Sequence, residues 1–369
     1  MSKLVRRHWP SDLSAGLSRR DRRGCEYAAY IPDLLADRRF RFDGDVAADL
    51  VEAEASIALM NEKATALGDT EALARLLLRA ECVASSQIEG LEVGGRRLLR
   101  AEAAREAGVT PEDVTAEEVL GNIEAMRWAV DVLGSAKVIT VRGLLEVHRR
   151  LLARTRLAEH GGKIREQQNW IGGNAFNPCS AVFVPPPHEE VERLLQDLCG
   201  FCNGDSLPAV AQAAIAHAQF ETIHPFLDGN GRVGRLLITF LLCHAGLLRE
   251  PLLYLSLYLK QNRATYYELL DRVRRDGDWE AWLAFFLEGV GRTAEGASRR
   301  PRSLRRCSRP IGRGSNRGGG APDPPCACTK RSRPGRSRPC RRSVAPPGCR
   351  FLQRPRRWSC SSSWASRAS

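Results

Sequence analysis

Hydrophobic residues recur every three to four positions along most of the first 291 residues, which is the spacing of one face of an α-helix. This pattern predicts a helix over 47–68 and a second over 69–90, which Asp69 or Thr70 can cap and Gly90 can end. The same periodicity predicts eight further helices, at 96–108, 110–134, 140–153, 189–204, 209–223, 232–246, 263–277 and 278–291. We therefore expect an all-α helical bundle.

Residues 161–188 break the helical pattern. The segment is rich in Gly, Asn and Pro, and its one β-like run, AVFV at 181–184, ends at three consecutive prolines. We predict a long loop that contains a short β-hairpin. A loop of this length in a compact domain is usually functional or disordered, and its aromatic and apolar residues favour function.

Composition separates both ends of the chain from the helical region. Residues 1–25 are polar and basic and predict a flexible N-terminal arm. After residue 292 the sequence becomes Arg, Pro, Gly, Ser and Cys without apolar periodicity, which predicts a disordered basic tail over 293–369. This tail has three interpretations: an out-of-frame translation of a GC-rich gene, an arm that binds nucleic acid, or an inert linker.

The net charge of +13 belongs to the tail rather than to the whole chain. Ser298–Ser369 contains 20 basic residues and one acidic residue, so it carries +19 and the remaining chain carries −6. Nucleic acid is therefore not an expected partner of the helical region. No stretch approaches 18 apolar residues and the N-terminus lacks the apolar segment of a secretory signal, so we expect no membrane contact and a cytoplasmic location.

The cysteines of the helical region lie mostly in apolar, helical runs, which favours buried free thiols. These residues are Cys25, Cys82, Cys179, Cys199, Cys202 and Cys243.

The stretch HPFLDGNGRVGR, residues 224–235, concentrates the polar chemistry of the chain. Pro225 must end the helix before it, so His224 lies at a helix end and faces the following loop. Beyond the glycine-rich loop a new apolar helix begins, and a helix N-terminus presents unpaired N–H groups and a partial positive charge. This order of elements predicts an anion site.

Each polar side chain of this stretch has a role beside a phosphate. Asn230 can donate to a phosphate oxygen, and Arg232 and Arg235 lie three residues apart on one helix face. Asp228 is explained if it holds Mg²⁺ that bridges phosphate oxygens. His224, largely neutral at pH 7, can take a proton from a hydroxyl.

One helix face could imitate a metal site. His217, Glu221 and His224 follow one another at i, i+4 and i+7, but no third strong ligand is evident and the loop gives His224 another role. We interpret His217 as a structural residue.

HPFLDGNGR followed by Arg235 resembles the signature of the Fic family, His-Pro-Phe-x-Asp/Glu-Gly-Asn-Gly-Arg-x-x-Arg, at every fixed position. The resemblance extends over about residues 25–292. It implies an all-α fold with a β-hairpin flap, and the transfer of AMP from ATP to a Ser, Thr or Tyr hydroxyl of a target protein. It makes His224 the base and Asp228 the Mg²⁺ ligand. ATP binding falls to Phe226, Gly229, Asn230, Gly231, Arg232 and Arg235.

Two further segments are similar to parts of that family. AVFVPPPH resembles the flap, whose residues Val182, Phe183 and Val184 would hold the target in extended form by strand addition. Asn262 and Tyr267 resemble the wall on the nucleoside side, although core packing is an equal interpretation of this segment.

SSQIEG, residues 85–90, is similar to the inhibitory helix of the family, Ser/Thr-x-x-x-Glu-Gly/Asn. Ser85 and Glu89 share one helix face, and Gly90 completes the motif. The resemblance implies that Glu89 pairs with Arg235, takes the place of the γ-phosphate and leaves ATP in an unproductive pose.

The sequence thus predicts an arm (1–25), an N-terminal helical region with the inhibitory helix (26–115), a catalytic domain (116–292) and the tail (293–369). The leading hypothesis is an autoinhibited protein adenylyltransferase that uses ATP and Mg²⁺. Its target, which the chain itself could be, is not identified, and homo-oligomer formation is left open. The alternatives are removal of AMP, transfer from another phosphate donor, or a regulatory Fic protein linked to nucleic acid.

Overall fold

The computed structural model describes residues 2–12, 18–36, 38–66 and 70–299, and most of them are helical. The helices are α1 (Gly44–Thr65), α2 (Thr70–Ile88), α3 (Gly95–Glu106), α4 (Val114–Trp128), α5 (Val141–Leu152), α6 (His188–Cys202), α7 (Ala209–Ile223), α8 (Asn230–His244), α9 (Leu255–Gln261), α10 (Arg263–Asp276) and α11 (Trp279–Arg299). The predicted all-α class is confirmed. The short α9 was not predicted, because seven residues are too few to display a helical period.

Helix α7 lies at the centre of the bundle. Every residue from Val210 to Ile223 is buried, and the helix contacts α8, α6, α11 and α10 on its different sides. An apolar surface all round is typical of such a helix. Because α7 is enclosed along its length, it gives His224 at its end a rigid base.

Helix α2 is attached to its neighbours by polar contacts as well as by its apolar face. The buried carboxylate of Glu81 accepts the backbone N–H (2.8 Å) and the hydroxyl of Ser256 at the start of α9. The side-chain amide of Asn122 on α4 donates to the carbonyl of Cys82 (3.0 Å) and to the hydroxyl of Ser86 (3.2 Å). These contacts fix where α2 ends relative to the rest of the bundle.

A glycine cap ends α2. Gly90 has φ +82° and donates its N–H to the carbonyl of Gln87 (3.1 Å), while the N–H of Leu91 reaches the carbonyl of Ser86 (3.0 Å). This pair of hydrogen bonds is the Schellman motif, in which glycine takes the left-handed position. Glu89 is therefore the capping residue of α2, and its placement depends on this turn.

A two-stranded antiparallel sheet precedes the helices in the chain, and Ala29 and Ile31 in it are buried. Strand β1 (Lys3–Trp9) pairs with β2 (Cys25–Ile31), with Lys3 opposite Ile31 and Trp9 opposite Cys25. The flexible arm predicted for residues 1–25 is therefore wrong for residues 3–9. Val5 and Trp9 are partly buried, while the three basic residues between them are exposed, so the strand shows no alternation by which its sequence could be recognised.

Within 161–188 the structure has one isolated β-bridge in place of the expected hairpin. Ile171 and Phe183 pair through Ile171 N–H to Phe183 O (2.8 Å) and Phe183 N–H to Ile171 O (3.2 Å). The carbonyl of Val184 accepts the N–H of Tyr30 in β2 (3.0 Å), so β2 rather than a longer hairpin continues the β structure. Pro185 cannot donate a hydrogen bond and ends the pairing.

A disulfide joins the sheet to the 161–188 segment. It links Cys25 and Cys179, which corrects the expectation of free thiols for these two residues. Their partnership spans 154 positions and leaves no local sign in the sequence. The expectation of a free thiol is met at Cys82, Cys199, Cys202 and Cys243.

The predicted boundary of the tail at residue 293 is too early. Helix α11 continues to Arg299, and Ala294 and Ala297 are buried against the bundle. The sequence did not predict this extension of α11, because the buried residues are small and lie next to the change in composition. The remainder of the predicted tail, from residue 300, lies outside the described residues. Within the described ranges, no helix is both long and apolar enough to cross a membrane.

Candidate active site

His224 follows the last residue of α7 in a left-handed conformation, with φ 49° and ψ 60°. It is the one non-glycine residue with positive φ in the part of the chain that the structure describes. Its carbonyl accepts Nε of Arg165 (2.9 Å) and Nδ2 of Asn169 (3.2 Å), and its N–H donates to the carbonyl of Phe220 (2.9 Å). These bonds offset the backbone strain of a conformation that costs about 1–3 kcal/mol, and they fix the direction of the imidazole.

The surroundings of His224 keep its imidazole neutral. Burial lowers its pKa to about 3, and the positive charges of Arg274 and Arg165 act in the same direction. A neutral imidazole at pH 7 has a nitrogen free to accept a proton, which is what a general base requires.

The loop between α7 and α8 is held by the side chain of Asn230. Its Oδ1 accepts the N–H of Phe226 (2.8 Å), and its Nδ2 donates to the carbonyl of the same residue (2.8 Å). The ring of Phe226 is buried. Both residues were predicted to bind ATP, and the structure places them as supports that shape the loop.

His148 of α5 lies beneath this loop. It is 1% exposed, and its ring stacks on Phe226 with centroids 3.7 Å apart and planes 7° apart. Nε2 lies 3.0 Å from the carbonyl oxygen of Asp228, and Nδ1 accepts the N–H of Gly162 (3.1 Å). Burial lowers the pKa of His148 to about 4, so the imidazole is neutral at pH 7.

Asp228 and Arg232 lie on the open side of the loop. The carboxylate of Asp228 is exposed and accepts Nη2 of Arg232 (3.0 Å), while Nη1 of Arg232 lies 3.8 Å from the carboxylate of Glu118. Arg232 is buried, and its Nε and Nη1 have no hydrogen-bond partner among the described residues. A buried guanidinium with unused donors is suited to an incoming anion.

The first turn of α8 is closely approached by a carboxylate. Gly229 begins this turn with φ +81°, and a Cβ atom at Gly231 would collide with Oε1 of Glu89. The side chain of Glu89 therefore lies against the helix N-terminus at which the sequence predicts an anion site. Only a glycine leaves room for it.

Arg235, 1% exposed, directs its guanidinium toward the end of α2. Nε donates to the hydroxyl of Ser85 (2.9 Å), and Nη2 donates to the carbonyl of Ser85 (3.0 Å) and to Oε1 of Glu89 (2.6 Å). Burial opposes both charges, but their mutual attraction outweighs it: the pKa of Glu89 is lowered and that of Arg235 is raised. The structure thus brings together the two motifs that lie 146 residues apart.

The two residues predicted on the nucleoside side have different surroundings. Tyr267 is 42% exposed, its ring centroid lies 5.0 Å from that of Tyr266, and the guanidinium of Arg263 lies over it at 5.5 Å. Partial burial, followed by the charge of Glu89, raises the pKa of its phenol. The side chain of Asn262 instead donates to the carbonyl of Tyr258 (3.0 Å) within its own helix pair.

The predicted flap residues differ in accessibility. Val182 is 76% exposed and Val184 is buried. Phe183 carries the guanidinium of Arg274 over its ring at 4.1 Å, and both of its backbone polar groups bond to Ile171. Strand addition by a target would therefore use backbone groups other than those of Phe183.

Sequence reasoning missed Arg165, Asn169 and His148. Arg165 and Asn169 hold a carbonyl more than 50 positions away, which no local pattern reveals. His148 had a weak signal, because it is a polar residue on the apolar face of α5 beside Val147 and Leu151.

Sequence comparison matches residues 138–242 to the Fic/DOC family and residues 47–131 to the Fic/DOC family N-terminal region, together slightly more than half of the chain. A protein adenylyltransferase Fic of Drosophila willistoni is 34% identical over 181 residues, 48% of this chain and 33% of that protein. The protein of the same name from Culex quinquefasciatus is 30% identical over 247 residues, 64% of this chain and 46% of that protein. The chain thus spans between a third and a half of these relatives.

Solved structures share the fold. A Fic family protein from Desulfovibrio desulfuricans has a TM-score of 0.56 at 23% identity and covers 70% of this chain and 75% of that one. Fic-1 from C. elegans has a TM-score of 0.53 at 25% identity, with 68% of this chain and 72% of that one covered.

Proposed function

The chain belongs to the Fic/DOC family, and from this premise we propose that it transfers AMP from ATP to a Ser, Thr or Tyr hydroxyl of a protein. The observation that carries the proposal is the junction of α7 and α8, where a neutral His224 faces a loop that ends at a helix N-terminus. The names of the Drosophila and Culex relatives agree with this activity.

In the proposed reaction His224 takes the proton of the target hydroxyl. The hydroxyl oxygen forms a bond to the α-phosphorus of ATP, the bond from that phosphorus to the bridging oxygen of the β-phosphate breaks, and diphosphate leaves. Arg232, buried with unused donors, and the first turn of α8 bind the phosphate oxygens. Arg235 is the ligand of the γ-phosphate, which determines how the nucleotide is seated.

Asp228 fits a magnesium ion that arrives with the nucleotide. No group of three or more His, Cys, Asp or Glu within the described ranges could hold a metal by itself, whereas Asp228 is a lone exposed carboxylate beside the anion site. Mg²⁺ is usually bound by one or two carboxylates together with substrate phosphates. When bound, it would neutralise charge on the phosphate oxygens. Asp228 would have to release Arg232 to hold it.

We further propose that Glu89 restrains the transfer. Its carboxylate bonds to Arg235 and lies against Gly231, so it takes both the guanidinium and the space that a γ-phosphate needs. Placing a second negative group there is opposed by charge repulsion at short range. ATP that binds beside Glu89 is then held with its α-phosphorus out of line with the target hydroxyl.

Labelling with ATP tagged on the α-phosphate tests this function. Glu89→Gly is expected to raise self-labelling or the labelling of lysate proteins by at least about tenfold, because Arg235 becomes free for the nucleotide. Adding His224→Ala to that variant should abolish the label. Glu92→Gly, a change at an exposed glutamate three residues further on, serves as the control and should label like wild type.

Two outcomes would contradict the proposal in different ways. Label that persists without His224 would remove its role as the base. A Glu89→Gly variant that labels no faster than wild type, while wild type is itself active, would remove the inhibitory role of Glu89 and leave the transfer reaction standing.

A further inference from the structure

His148 combines a buried position with full use of its polar atoms. It lies on the face of α5 that also presents Leu144, Val147 and Leu151 to the core. A histidine on such a face commonly fills space, yet both ring nitrogens of His148 are within hydrogen-bond distance of backbone groups. These two groups belong to different loops, so the ring links them.

The partners of His148 determine its tautomer. The N–H of Gly162 can only donate, so Nδ1 must be the acceptor. The carbonyl of Asp228 can only accept, so Nε2 must carry the hydrogen and donate to it. One neutral tautomer satisfies both contacts.

The same face of α5 lies against Gly229, the residue that precedes α8. A Cβ atom at Gly229 would lie 3.0 Å from Cδ2 of Leu151 and 3.7 Å from Cδ2 of His148. The ring of His148 also stacks on Phe226, two residues before Asp228. The loop therefore contacts His148 at Phe226 and at Asp228, and there is little space between the ring and Gly229.

We propose that His148 is a positioning residue for the catalytic loop: its Nε2–H fixes the carbonyl of Asp228 and thereby the direction of the Asp228 carboxylate and of the first turn of α8. This rests on the proposed function, in which Asp228 holds Mg²⁺ with the nucleotide. Loss of the hydrogen bond leaves the carboxylate present but no longer held in its productive direction.

The test compares two substitutions in the Glu89→Gly background. His148→Phe keeps an aromatic ring on Phe226 and removes both hydrogen bonds, whereas His148→Gln keeps an N–H donor that can reach the Asp228 carbonyl. We expect His148→Phe to lower kcat about tenfold and to raise the Mg²⁺ concentration for half-maximal rate several-fold. His148→Gln should recover most of both losses. His160→Phe, on the partly exposed turn after α5, is the matched control and should change neither.

A binding measurement separates this inference from the proposed function. Calorimetric titration of MgATP into the same variants carrying His224→Ala does not require turnover, and it should show weaker binding for His148→Phe than for the parent or for His148→Gln. If the parent fails to transfer AMP but this order of affinities holds, the proposed function fails and the positioning role stands. If the parent is active and His148→Phe matches it in kcat, Mg²⁺ requirement and MgATP affinity, the positioning role is overturned. Equal losses in His148→Phe and His148→Gln would also overturn it, because only packing would then matter.

Discussion

Glu89 and Arg235 form an ion pair in which Oε1 of the glutamate lies 2.6 Å from Nη2 of the arginine, although 146 positions separate them. The arginine is 1% exposed and the glutamate side chain 35% exposed, so one partner is buried and the other is open to solvent on one side. Such a pair can be opened from the glutamate side without unfolding the protein. It also connects the end of α2 in the N-terminal region with α8.

Ser85→Ala should weaken this contact without removing a charge. Arg235 would lose the bond from its Nε to the hydroxyl of Ser85, which lies at 2.9 Å, and would keep the bond to Glu89. A hydrogen bond to a charged group contributes about 1.5–3 kcal/mol. Because this bond orients Arg235 and is not the ion pair itself, we expect less than half of that energy to act on the contact with Glu89, so AMP labelling should rise about 3- to 10-fold, less than in Glu89→Gly. Ser135→Ala is the control, because that exposed hydroxyl bonds to the carbonyl of Asp131, away from α2 and Arg235. Equal labelling by both serine variants would contradict the role given to Ser85.

Gly90→Ala should disturb the end of α2 through the backbone alone. Nothing lies within 4 Å of the position that a Cβ atom would take, but the φ of +82° costs an L-residue about 1–2 kcal/mol. We expect a slightly lower melting temperature and several-fold more labelling, since Glu89 depends on this turn. Gly200→Ala, on an exposed helical position with equal space around it, should stabilise the protein and leave labelling unchanged. A Gly90 variant with wild-type labelling would show that the turn does not position Glu89.

Glu221 should make stability depend on pH. Burial raises the pKa of its carboxyl from 4.5 to about 7, and its Oε1 has no hydrogen-bond partner within the described part of the chain. Because the folded state holds this proton more tightly, the stabilising contribution is complete below about pH 4.5 and is lost as pH rises through about 7. As the pH rises from about 4.5 to about 7, the unfolding free energy of Glu221→Gln should therefore fall less than that of wild type, by on the order of 1–3 kcal/mol.

Urea unfolding of the two proteins at several pH values measures this difference. Glu192→Gln, at an exposed position of α6, should follow wild type at every pH. Parallel curves for wild type and Glu221→Gln would mean that the carboxyl titrates normally.

Cys25→Ser should loosen the sheet from the 161–188 segment. The disulfide to Cys179 is one of several contacts between them, with the edge-on pair Trp9 and Trp170 (5.2 Å) and the hydrogen bond from Tyr30 to Val184. We expect a loss of about 2–4 kcal/mol in unfolding free energy and faster amide exchange in β2. A dithiol reductant should bring wild type to the level of the variant and change the variant no further. If the reductant lowers the unfolding free energy of both proteins, its effect does not come from this disulfide.

The sequence predicted those parts of the site whose chemistry is contiguous. His224, Asp228 and Arg235 fall within twelve residues. The proline and glycines among them predict a helix end, a loop and a new helix. Glu89 could be connected with Arg235 only through the family resemblance, because the spacing of Ser85 and Glu89 alone is common on helices. Sequence periodicity was sufficient for most of the long helices because they bury one apolar stripe, whereas α7 is buried on every side.

The supports of the site could not be predicted in the same way. Arg165 and His148 act on backbone carbonyls that lie 59 and 80 positions away, and a backbone carbonyl has no residue-specific signature. The first strand was hidden because five of its seven residues are exposed and its inward face consists of Val5 and Trp9 alone. Long-range pairing, rather than local preference, determined each of these features.

Because Gly231 has no side chain, the carboxylate of Glu89 can lie against the first turn of α8, and the proposed inhibition becomes a competition for this position. The carboxylate of Glu89 occupies the space beside Gly231, and in the proposed mechanism an oxygen of the nucleotide competes for it. In the proposed mechanism, productive ATP binding and the contact of Glu89 exclude each other. A partner protein that moves the end of α2 away would therefore increase the affinity for ATP. ATP would increase the affinity for that partner by the same factor. The position of the end of α2 would then control ATP binding without any contact between that partner and the nucleotide.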